Sequence, residues 1–150
     1  MFHVSRFMIH GFTLTEIILV VAMIVILASF TVPIYQNFQI KNDLNITVTT
    51  LAQTLRRAQV FSRAGEGDSS WGVKVISGNI TLFKGQSYAV RDLNYDEVYN
   101  VPPSLSFSGI DEVVFSKLNG EANQSGDFSI TSSAGDIKNI NLNPKGIVSY

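Results

Sequence analysis

The sequence predicts an α+β fold in which a long N-terminal helix, first transmembrane and then amphipathic, packs on a C-terminal antiparallel β domain. Three observations carry that expectation. Residues 12–32 form an apolar run whose only charge is Glu16. Residues 34–64 place apolar side chains at helical spacing, and beyond a glycine-rich break the apolar period falls from 3.6 to 2. The chain has 150 residues, which suits one domain, and its mean hydropathy of +0.20 is concentrated in the first of these segments. With 45% hydrophobic and 15% charged residues and a formal charge of -1, it carries no global field for nucleic acid. Its lack of cysteine excludes disulfides, thiolate catalysis and cysteine-ligated zinc or iron-sulfur sites.

The first element, 12–33, is long enough as a helix to cover roughly 30 Å, the hydrocarbon thickness of a bilayer. Arg6 precedes it with no acid nearby, which by the positive-inside rule leaves the N-terminus in the cytoplasm and puts the rest on the far side. A cleaved secretory signal is the plain alternative, but Ile26 stands where a site after Ala28 needs a small residue. Glu16 is unusual in either, the plain alternative being a lone acid that snorkels to the interface. A carboxylate inside the membrane costs about 2.5–3.5 kcal/mol even on lenient scales and calls for a partner.

The string Gly11-Phe12-Thr13-Leu14-Thr15-Glu16, followed by the apolar helix and Pro33, resembles the N-terminal signal of type IV pilins and type II secretion pseudopilins. The resemblance implies a leader over residues 1–11, cut between Gly11 and Phe12 by a prepilin peptidase that then methylates Phe12. It implies a structural subunit, not an enzyme, with no cofactor. Its partners would be other pilin or pseudopilin subunits, the peptidase, the inner membrane and its assembly platform. Glu16 then pairs with the Phe12 amine of a neighbouring subunit, relieving two desolvation penalties together. The leader departs from many in the family, having His10 before the glycine and a single Arg.

In the extension, Ile40, Leu44, Val48, Leu51, Leu55 and Ala58 describe one face of a helix that should reach Ala64 and stop at Gly65-Glu66-Gly67. Pro33 predicts a kink, and Ile46-Thr47-Val48-Thr49-Thr50 weakens helix propensity. Within the β-rich domain, 65–150, strands are expected at Trp71–Ile76, Ile80–Phe83, Leu105–Phe107, Val113–Leu118, Phe128–Thr131, Ile137–Leu142 and Ile147–Tyr150, with turn residues between them. Residues 86–104 give no clear strand, and Pro102-Pro103 closes them as loop. Trp71-Gly72-Val73, the turn from Phe115 to Gly120, and Asn143-Pro144-Lys145-Gly146-Ile147-Val148 are similar to the GspH/FimT group of minor pseudopilins and minor pilins.

Chemistry is sparse. The two histidines, His3 and His10, both fall in the expected leader, which removes histidine triads and histidine-metal sites from the remainder. Asp96-Glu97 and Asp111-Glu112 are adjacent, so on a strand each pair would point to opposite faces, solvated. Asp92-Leu93-Asn94-Tyr95-Asp96 begins like a calcium loop, but Glu97 stands where glycine is needed and Pro103 where the closing glutamate belongs. For DNA, Arg56, Arg57, Arg63 and Lys145 are the available cations. Without Arg6, 10 basic residues face 12 acidic ones, too few cations to expect DNA as a partner. The resemblance thus favours a minor pseudopilin in a periplasmic pseudopilus of a type II secretion system. A minor pilin of a type IV pilus or DNA-uptake system comes second, and a membrane-anchored enzyme stands as the reading from another class.

Overall fold

The computed structural model describes residues 11–150, apart from the side chains of residues 30–34. It is α+β, with a helix packed on antiparallel sheets. In chain order the elements are α1 (Leu14–Ala64), β1 (Trp71–Ile76), β2 (Asn79–Lys84), β3 (Asp92–Asn100), β4 (Leu105–Gly109), β5 (Glu112–Phe115), β6 (Gly126–Ser132), β7 (Ile137–Leu142) and β8 (Val148–Ser149). The chain divides into two compact units, Met1–Gln36 and Asn37–Tyr150. Where a kink is expected, α1 continues as helix through Pro33.

In the second unit, residues 37–64 of α1 bury the face the spacing predicts. Leu44, Val48, Leu51, Leu55 and Ala58 are all buried, with Ala52, Thr47 and Thr54 widening the stripe. Ile40 is only half-buried. The β-branched run stays helical because Thr47 and Val48 face the core, where packing outweighs propensity, and because the Thr49 hydroxyl donates to the Asn45 carbonyl (2.9 Å). The helix ends where expected. Gly65 takes a left-handed conformation (φ 64°) and its amide donates back to Ser62 O at 3.1 Å, a glycine C-terminal cap. The buried Ser62 hydroxyl then accepts from the Trp71 amide (2.8 Å), tying the end of the helix to the first strand.

The strands form two four-stranded sheets, in the orders β3-β2-β1-β5 and β4-β6-β7-β8. All recorded pairings are antiparallel. The β1–β2 hairpin closes on Ser77-Gly78, with Ile76 opposite Asn79 and Gly78 at φ 89°. Phe115, Phe128, Leu82, Ile130 and Ile140 join the helix leucines in one core. Gly72 is required by a close approach: a Cβ there would stand 2.5 Å from Phe83 Cζ and 2.7 Å from the Val113 carbonyl oxygen.

Three strand expectations need correction. β3 fills part of the region that gave no clear strand, although Pro102-Pro103 does lie beyond its end. β5 stops at Phe115 instead of Leu118, because residues 116–120 turn. Gly120 N donates to Ser116 O (2.8 Å), and Leu118 is forced to φ 69°. The last strand is two residues, not four, since Asn143 holds a turn: its side-chain oxygen accepts from Ile147 N (2.9 Å).

Candidate functional site

In the first unit, Gly11, Phe12 and Thr13 are exposed and non-helical, and α1 begins at Leu14. Thr13 starts the helix, its hydroxyl accepting from the Glu16 amide at 3.3 Å. That places Glu16 in the first helical turn, where the helix dipole favours a carboxylate. Thr13-Leu14-Thr15-Glu16 is a T-x-x-E start signal. It was available in the sequence, and it gives Glu16 a local role besides the intersubunit one.

From Leu14 to Ser29 every described side chain is exposed, and the apolar ones ring the helix: Ile18 at 61%, Leu19 at 60%, Met23 at 60% and Leu27 at 70%. A helix apolar on all sides is ordinarily covered, by protein or by lipid. Among the described residues no helix is long and apolar enough to cross a membrane, and the expected span, 12–33, includes residues 30–33, whose side chains lie outside the described residues. What the segment offers chemically is one carboxylate at the head of an uncovered apolar surface.

The three arginines on the helix of the second unit are occupied. Arg57 makes a two-pronged contact with Glu97, both distances 2.8 Å, and donates to the Tyr99 hydroxyl at 2.6 Å. Arg56 donates to Val148 O (3.3 Å) and lies over the Tyr150 ring, while Arg63 donates to Asn119 O (3.3 Å). These arginines therefore bind helix to domain, while Arg56 and Arg63 stay exposed to solvent. Lys145 is exposed, and its carbonyl accepts from Gln59 (2.8 Å).

The acidic pairs also differ from expectation. Asp96 and Glu97 do take different partners, as alternation on β3 requires, but Asp96 is largely covered (14% exposed) and bonded to Arg91 at 2.8 Å. Asp111 and Glu112 do not part company. Asp111 precedes β5, so both carboxylates reach Lys74 Nζ, at 2.6 and 3.6 Å. Asp92, Asn94 and Asp96 lie along an extended strand, not a loop, and Asp92 is bonded to Asn94. Among the described residues no three His, Cys, Asp or Glu gather as a metal site. His3 and His10 lie outside the described residues. No family model, curated protein or solved structure matches the chain.

Proposed function

We propose that this chain is a minor pseudopilin, a structural subunit of a type II secretion pseudopilus held by its N-terminal helix in the bacterial inner membrane, with its β domain in the periplasm. The observation that carries the reading is the exposed apolar ring of 14–29 headed by Glu16, directly after a non-helical Gly11-Phe12. A peptidase needs an accessible bond, and Gly11-Phe12 is exposed and non-helical. Cutting there keeps the apolar helix in the product, and gives Glu16 a charged amine to meet in the neighbouring subunit. Helix association then covers the apolar ring, and the β domain is left to face outward. The internal engagement of Arg56, Arg57 and Arg63 weighs against DNA as a partner, since a phosphate would have to displace contacts already made.

The test is an in-frame deletion in the host, scored for release of periplasmic enzymes and for uptake of labelled DNA. Enzymes retained with normal uptake is the expected result. Normal secretion with lost uptake overturns the reading and favours a pilus subunit. Mass analysis of the membrane-extracted protein should in addition find a chain that starts at a methylated Phe12.

A further inference from the structure

We propose that β4 is a pairing edge at which two copies of this chain join strand to strand across a two-fold axis. The sheets have four outer edges, and three are guarded. β3 carries Asp92, Asp96 and Glu97 and has a bulge in its pairing with β2. β5 is covered by its own following loop through the Phe115–Ala122 bridge and the Asn123–Val114 bonds. β8 has two residues. β4, Leu-Ser-Phe-Ser-Gly, has neither charge, nor proline, nor bulge, and it pairs only with β6.

The ladder fixes which groups are open. Ser133 N donates to Ser104 O (2.8 Å) and Ile110 N to Asp127 O (3.1 Å), so in this register the even-numbered residues bond inward to β6. The amide and carbonyl of Phe107 therefore face outward. Beside them lies a cavity of about 210 Å³ lined by residues 106–111, Asp111 among them, and by residues 75–77 at the end of β1.

A second β4, running antiparallel and centred on Phe107, answers each of these features. The two Phe107 residues exchange both main-chain bonds, and their rings meet on the face that borders the cavity. Ser106 of each copy falls opposite Ser108 of the other, hydroxyl to hydroxyl, on the exposed face. No charge lies between 104 and 110, so self-pairing meets no like-charge repulsion, whereas β3 against itself would set acid against acid. The contact is small, below the ~1,200 Å² of a stable complex, which makes it weak and best read by trapping. Being two-fold it closes on itself, and so stands apart from any head-to-tail filament series. It does not depend on the secretion reading.

The native chain has no cysteine, which makes the test clean. Full chains carrying Ser106→Cys or Ser108→Cys, each with its own tag, are mixed in detergent and oxidised mildly. Antiparallel pairing puts residue 106 directly opposite 108 of the partner, about 4.5 Å apart at Cα, but 106 far from its own copy. Mixed disulfides should exceed either homodimer several-fold. Mixed disulfides no more than twice either homodimer, the ratio random collision gives, or no cross-link from chains with native circular dichroism, overturns the proposal. Should the cysteine chains misfold, chains with Lys at both positions and chains with Glu at both take their place. Mixing the two should raise the sedimentation coefficient above that of either alone, and no change on mixing overturns the proposal.

Discussion

Glu97 is held below the ordinary carboxylate range first by its hydrogen bonds from Arg57, with burial opposing, and Asp111 is lowered in the same way by Lys74. A carboxyl whose folded pKa is depressed binds fewer protons than in the unfolded chain. Its contribution is complete above the unfolded value, about 4, and is lost as pH falls through the folded one. The Arg57 and Glu97 side chains are 42% and 44% exposed, so screening keeps their pair below about 1 kcal/mol. Urea midpoints should hold steady from neutral pH to about 5 and then decline below about 4. Glu97→Gln should lie below the native chain at pH 7 and converge with it in acid; parallel curves would remove the pair from the ledger. Little of this was legible beforehand. Arg57 and Glu97 are 40 residues apart and meet through side chains. Periodicity marks which positions face outward, but not which outward charges find one another.

At the scale of elements the helix was the most legible, because one face must satisfy a single period over many turns. Leu55 is wholly buried, whereas Val60, five positions on, is 60% exposed. Leu55→Ala should therefore cost about 2–5 kcal/mol, and Val60→Ala no more than ~0.5. Urea unfolding of the full chain in detergent checks both, and comparable losses at the two sites would contradict the face assignment. β3 was illegible for the opposite reason. An edge strand buries little, so Asp92, Asn94, Asp96 and Glu97 leave no alternation of polar and apolar residues to read. Its place is set by the ladder to β2 and by Arg57 reaching across from α1. The ends of β5 and β8 were misjudged because turn chemistry at Ser116–Gly120 and Asn143–Gly146 overrode an apolar run.

For the whole molecule, strand order was beyond sequence reasoning. β5 pairs with β1 across residues 77–111, and β4 crosses to the other sheet, choices made by packing rather than by any local signal. Among the described residues, the first unit holds an uncovered apolar ring and the second contains every buried core residue. Glu16 decides between two accounts of the first unit. As a first-turn carboxylate it is worth only about 0.3–1 kcal/mol to its own helix, and its loss leaves the core of 37–150 untouched. As the partner of a neighbour's terminal amine, its loss strands a charge in low dielectric, and the subunit should drop out of the assembly. We expect Glu16→Gln to leave the thermal melt of the β domain and the processing at Phe12 unchanged. Cross-linked oligomers recovered from membranes should fall about tenfold or more, the equivalent of ~1.4 kcal/mol per contact. Were oligomers to form normally from the Glu16→Gln chain, Glu16 would be left as a helix-terminal residue, and an anchored domain with another role would take precedence over a filament subunit.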